Sequence, residues 1–99
     1  MQFANLINGE WIETAESRPN INPSDTSDVI GNYASGTASD VDAAVEAATN
    51  ALPAWSSASP QLRFDILDAV GNAILKDKDA IGRMLAREEG KTLAEATGE

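Results

Sequence analysis

The chain contains neither cysteine nor histidine. Without cysteine there is no thiolate nucleophile, no disulfide and no thiolate metal ligand. Without histidine the commonest general base and the commonest zinc or haem ligand are missing as well. Chemistry within these 99 residues would fall to carboxylates, hydroxyls and lysine. Cationic residues are scarce: seven Lys and Arg stand against 16 Asp and Glu, a net charge of −9. A field of that sign repels phosphate, which argues against nucleic acid or an anionic membrane surface as a partner. No run reaches the ~20 apolar residues of a membrane helix. The opening Met1 to Asn8 has no basic start and no apolar stretch of signal-peptide length, so a cytoplasmic chain is expected. Asn22-Pro23-Ser24 is barred as a glycosylation acceptor by its proline.

What is present is ordinary for a globular protein: 42% of residues are hydrophobic. The length allows one small domain or a piece of a larger one, with a single modest core. The chain divides near residue 37, with extended-structure signals before and helical ones after. Residues 1–36 carry net −4 and residues 37–99 net −5, so the acidity is not confined to a tail.

Leu6-Ile7 and Trp11-Ile12 flank Asn8-Gly9, a pair that tolerates the positive φ of a type I′ turn. This predicts a tight β-hairpin over residues 5–13. Asn22-Pro23-Ser24-Asp25 predicts a turn, and Val29, Ile30 and Tyr33 a short strand over about 28–34. Thr37-Ala38-Ser39-Asp40 resembles a capping box, with Asp in place of the longer Glu. Behind it Val41, Ala44, Val45, Ala48 and Leu52 form one apolar stripe, and Pro53 is expected to stop the helix. Ser59-Pro60 starts a second helix with its stripe at Leu62, Ile66, Val70, Ala73 and Ile74. Asp77 is expected to cap a third, with Ala80, Ile81, Met84 and Leu85 on its buried side and Gly90 at its left-handed end. Thr92-Leu93-Ala94-Glu95 is a second capping box, followed by only four residues. So short a helix nucleates poorly, and the expectation is a chain that stops inside an element, as a truncated piece would.

Several motifs imitate functional sites. Gly90-Lys91-Thr92 mimics the end of a phosphate-binding loop, but Leu85 stands where the other glycine belongs, and a helix precedes it rather than a strand. Asp77 to Glu88 mimics a calcium loop, yet Ile81 and Leu85 occupy oxygen-donor positions and fit the helical stripe instead. There is no GxGxxG turn for a dinucleotide. Asp65 with Asp68 and Asp40 with Asp42 read as solvated or dipole-complementing helix carboxylates. Trp11 and Trp55 read as packing anchors, and Lys91 as a cation favourably placed past a helix C-terminus. The residues taken alone support no active site.

Their order is more telling. Ile7-Asn8-Gly9-Glu10-Trp11 is followed by Asn22-Pro23, Asp28-Val29-Ile30-Gly31 and Asp40-Val41-Asp42-Ala43-Ala44-Val45. Ala47-Ala48, Trp55-Ser56, Ser59-Pro60, Arg63, Ile66-Leu67 and Glu88-Glu89-Gly90-Lys91 complete the set. Together these resemble the N-terminus of the aldehyde dehydrogenase superfamily along essentially the whole chain. Arg87 to Leu93 and the opening hairpin are similar to bacterial 2-oxoglutarate semialdehyde dehydrogenases.

The resemblance implies an α/β enzyme of roughly 480 residues in several domains. Such an enzyme oxidises an aldehyde to a carboxylate with NAD or NADP through a cysteine thiolate, a glutamate-activated water and an oxyanion hole. The family's catalytic residues fall beyond position 99, and no residue here can form the thioester. Residues 1–99 are expected to be the N-terminal part of the NAD(P)-binding domain, mostly helical with an N-terminal β-hairpin and one short further strand. No catalytic or nicotinamide-contacting residue transfers onto them. The family often holds a monovalent cation just before the Asn-Pro pair. The matching position is Asn20, where threonine is frequent in the family. A homodimer or homotetramer is implied, with an aldehyde as the substrate. From another class, the acidic charge and amphipathic helices also suit a stand-alone protein-binding module.

Overall fold

The computed structural model describes residues 2–99. Five strands precede four helices: β1 (Gln2–Phe3), β2 (Asn5–Ile7), β3 (Glu10–Ile12), β4 (Ser17–Ile21), β5 (Val29–Ala34), α1 (Ala38–Ser57), α2 (Pro60–Lys76), α3 (Lys78–Glu89) and α4 (Leu93–Gly98). β2 and β3 form the expected antiparallel hairpin, with Asn5 opposite Ile12, Leu6 opposite Trp11 and Ile7 opposite Glu10. Asn8 (φ 52°) and Gly9 (φ 80°) adopt the two positive φ values that a two-residue type I′ turn needs. β5 lies where a strand was expected, but it is the centre of a three-stranded sheet ordered β1-β5-β4. β4 was not among the expected strands; its Pro19 lacks the N–H that a central strand needs. As an edge strand, β4 can leave one side without a backbone donor. β1 runs parallel to β5, and the rings of Phe3 and Tyr33 stack with centroids 4.7 Å apart.

The chain forms two compact units. One holds residues 2–20 with 31–58, the other 21–30 with 59–99. In the first, α1 starts at the Thr37 capping box, where Asp40 Oδ2 accepts from Thr37 N at 2.7 Å. That is tighter than the 3.3 Å of the equivalent Glu95 bond at Thr92, so the shorter acid reaches back fully. Pro53 does not end α1, contrary to expectation: the helix runs on to Ser57. The proline costs about 3 kcal/mol locally by removing one N–H. The turn beyond it keeps Trp55 on the face of Val41, Ala48 and Leu52, and the Ser57 hydroxyl donates to the Pro53 carbonyl at 2.8 Å. The stop comes at Ala58 and Ser59, both extended ahead of Pro60.

In the second unit Ser59 caps α2 with its hydroxyl 3.1 Å from Leu62 N. Asp77 joins α2 to α3 but makes no side-chain cap bond, which corrects the expected role. Its backbone lies near-helical at φ −101° and ψ 13°, and its N–H is directed to the closing carbonyls of α2. Gly90 ends α3 in the left-handed conformation, φ 70°. α4 is short, yet it docks: Ala96 is 4% exposed and the buried Gly82 of α3 faces Thr97. Tertiary contact holds this helix where its length alone would not.

Elsewhere the apolar stripes lie open. Among the described residues Ala96 is the one buried hydrophobic side chain. Val41, Val45 and Leu52 of α1, Leu62, Ile66, Val70 and Ile74 of α2, and Ile81 and Met84 of α3 are all exposed. Of the side expected to be buried on α3, Ala80, Ile81 and Met84 are exposed and Leu85 alone is half-buried. Nor do Trp11 and Trp55 anchor a core: they are 71% and 40% exposed. Periodicity finds the face a helix would bury, not what covers it.

Candidate functional site

The densest polar constellation joins two stretches far apart in sequence. Residues 22–28 form a tight loop in which Asn22 Oδ1 accepts from Ser24 N at 2.9 Å and Asn22 N donates to Asp28 O at 3.0 Å. This is the expected turn, extended by a second one in which Asp25 Oδ1 accepts from Ser27 N and Ser27 Oγ. The loop presents Asp28 to the last turn of α3. Arg87 grips it side-on, Nη2 to Oδ1 at 2.6 Å and Nε to Oδ2 at 2.9 Å, while Asn22 Nδ2 donates to Oδ2 at 3.1 Å. The Arg87 guanidinium first, and the Asn22 amide second, hold the Asp28 carboxyl down at about 2. Both side chains of the ion pair are about one-third exposed. Beside it, Pro23 and Ser24 approach Gly90 so closely that a Cβ there would lie 3.0 Å from each. Asp28 and Arg87 belong to two separate motifs of the sequence. Nothing in local spacing signals a contact across 59 residues.

Lys91 follows that junction. Its ammonium pairs with Glu89 Oε2 at 2.8 Å and with Glu99. The two carboxylates, Glu89 foremost, hold it above the usual lysine range. It is a locked cation rather than a nucleophile, in keeping with the reading of a charge placed past a helix end. Gly90-Lys91-Thr92 is likewise a helix end followed by a cap, since Thr92 Oγ1 accepts from Glu95 N at 3.3 Å. The Glu95 carboxyl is lowered by the Thr92 hydroxyl and then by its backbone N–H. Asp40 is lowered by Thr37, through the backbone N–H first and then the hydroxyl.

The other weighed carboxylates lie on solvated helix faces. Asp65 accepts from Gln61 at 2.7 Å and Asp68 from Asn72 at 3.0 Å, both across one turn. Asp77 to Glu88 is helical from Lys78 onwards, with no calcium-loop geometry. Among the described residues no group of three or more acidic side chains is placed to hold a metal. Asn20 sits half-buried in the edge strand β4. In the first unit a cleft of about 450 Å³ is lined by Glu13, Thr14, Glu16, Thr37 and Asp40 among others, with no cationic side chain in its wall. A smaller apolar groove of about 280 Å³ lies between the hairpin and α1, at Leu6, Ile7, Val41 and Ala44.

The Thr37 hydroxyl and Asp40 carboxylate of the larger cleft are engaged with each other in the α1 capping box, and the ion pair holds the 22–28 loop on α3, so both arrangements do structural work. Comparison with known proteins gives the larger setting. Residues 11–99 match the aldehyde dehydrogenase family. The chain is 37% identical over 97 residues to an alpha-ketoglutarate semialdehyde dehydrogenase of Haloferax volcanii, covering 96% of this chain and 20% of that protein. It is 38% identical over 96 residues to an NADP(+) succinate-semialdehyde dehydrogenase of Escherichia coli, covering 95% and 20%. A betaine aldehyde dehydrogenase from Staphylococcus aureus, solved in complex with NAD+, superposes with a TM-score of 0.89 at 31% identity, covering 96% of this chain and 20% of its own.

The fold is thus one found within larger α/β proteins, of which the chain spans about a fifth. The chain belongs to the aldehyde dehydrogenase family.

Proposed function

We propose that these residues are the N-terminal part of the NAD(P)-binding domain of an aldehyde dehydrogenase. The whole enzyme then oxidises an aldehyde, 2-oxoglutarate semialdehyde being the candidate, to the carboxylate. The observation that carries this reading is the row of uncovered stripes on α1 and α2 in a chain that aligns with a fifth of its relatives' length. Faces of this size on a soluble domain call for a covering surface.

The chain's own contribution is to build and hold. The Arg87–Asp28 clamp fixes the loop 22–28 on α3, and the two capping boxes satisfy the first N–H groups of α1 and α4. NAD or NADP, when bound by the whole enzyme, accepts the hydride. The attacking thiol has to come from outside these cysteine-free residues. Asn20 is proposed as a ligand of a monovalent cation. A neutral amide oxygen is a hard donor of the kind that suits sodium or potassium. Asn20→Ala should remove any dependence of the melting temperature on the choice of alkali ion. A cytoplasmic homodimer or homotetramer completes the proposal.

The test is direct. The full-length gene product should reduce NAD or NADP with an aldehyde, and residues 1–99 alone should not. Turnover by the 99 residues alone, or none by the whole protein with 2-oxoglutarate, succinate and betaine-type aldehydes, overturns the reading.

A further inference from the structure

We propose that Asn8 is a site of spontaneous covalent modification, deamidating through its own backbone to aspartate and isoaspartate, and that the second product unfastens the β2–β3 hairpin. Of seven asparagines, only Asn8 precedes a glycine. The reaction needs the backbone nitrogen of the following residue to reach the asparagine side-chain carbon, and a side chain on that residue obstructs the approach. Gly9 has none, and the space where a Cβ would stand is open. Asn8 and Gly9 are both exposed, at a turn where Asn8 holds the positive φ that an L-residue adopts reluctantly. The hairpin has three residue pairs in a separate two-stranded sheet. Such a short ribbon opens locally and gives the turn the rotation that cyclisation requires.

The other asparagines are protected by structure or by their neighbours. Asn22 precedes Pro23, which has no N–H to lose, and its amide is engaged by Asp28. Asn50 and Asn72 lie inside α1 and α2, with Ala following each. Asn5, Asn20 and Asn32 lie in strands and precede Leu, Ile and Tyr.

The step balances without an oxidant. The Gly9 nitrogen bonds to Asn8 Cγ, the Cγ–Nδ2 bond breaks, and Nδ2 leaves as ammonia with the Gly9 proton. Water then opens the five-membered imide at one carbonyl or the other. One opening gives aspartate. The other routes the main chain through the former side chain and inserts an extra carbon into a two-residue loop. Hairpin register is fixed by loop length and turn type, so the pairs Ile7 with Glu10 and Leu6 with Trp11 are lost. Either product adds one negative charge to a chain already at −9.

The full-length enzyme held at mildly alkaline pH, peptide-mapped over time and labelled by an isoaspartate carboxyl methyltransferase, tests this. Aspartate and isoaspartate should accumulate at residue 8 before any change at Asn50 or Asn72, with a matching acidic shift on isoelectric focusing. Asn8→Gly keeps a residue suited to the turn and should lose the methyl label from the hairpin peptide. A residue 8 that keeps its amide as long as Asn50 and Asn72 do, or a label undiminished in Asn8→Gly, overturns the proposal.

Discussion

Replacing Gly82 and Gly71 by alanine should move stability in opposite directions, although both glycines lie inside helices. A Cβ built on Gly82 lies 2.8 Å from Thr97 Cα and 3.1 Å from Thr97 Cβ. The nearest obstacle includes backbone, which cannot rotate aside, so α4 itself has to move. Overpacking of this kind costs about 1–3 kcal/mol, and contact with main chain places it at the upper end. Better helix propensity returns about 1 kcal/mol. The net loss is about 2 kcal/mol, roughly thirtyfold in the opening equilibrium of α4. Gly71 has nothing within 4 Å of its would-be Cβ, so Gly71→Ala keeps the propensity gain of about 1 kcal/mol undiluted. Amide hydrogen exchange reads both: the Leu93–Gly98 amides should exchange about thirtyfold faster in Gly82→Ala, and those of α2 more slowly in Gly71→Ala. Unchanged α4 protection in Gly82→Ala would refute the idea that Gly82 is small because α4 sits on it.

Three further outcomes follow from the same geometry. Asp28 titrates at about 2 when folded against 3.8 unperturbed, so its clamp is intact above pH 3.8. The stabilisation is lost as the pH falls from there through about 2; exchange in residues 22–28 should show that acid step, and Arg87→Ala should abolish it. Thr37→Ala removes the hydroxyl that caps Asp40 N and should cost about 1 kcal/mol, seen as fraying of the first turn of α1. Pro53→Ala restores a helical N–H and should stabilise α1 by up to about 3 kcal/mol, measured by denaturant titration; no gain would mean that the turn after Pro53 is held by something other than helix energetics.

Local chemistry made much of the architecture legible. The Asn8-Gly9 turn, the Ser59-Pro60 start and the left-handed Gly90 each depend on neighbouring atoms only, and each stands where residue type placed it. The Thr37 box is the same kind of signal, and Asp40 proved a better partner than its length suggested. Signals that depend on competition were harder to read. Pro53 stops a helix only if nothing rewards the next turn, and Trp55 belongs to the stripe that it continues. Pro19 bars a central strand but not an edge one, and which strand is the edge is a property of the sheet.

The sequence by itself determined the hairpin and its turn type, β5 and the four helices that follow it, the caps that begin α1, α2 and α4, and the family to which the chain belongs, but not β1 or β4. These rest on contacts within a few residues, or on an ordered set of short motifs. Only the tertiary structure decided that Arg87 takes Asp28 side-on, that Gly82 makes room for α4, and that the stripes of α1 and α2 are left uncovered by the chain that carries them. The reason is the same in each case. Such contacts join residues whose separation along the chain carries no record of their distance in space, so amphipathic spacing announces a buried face without naming its partner.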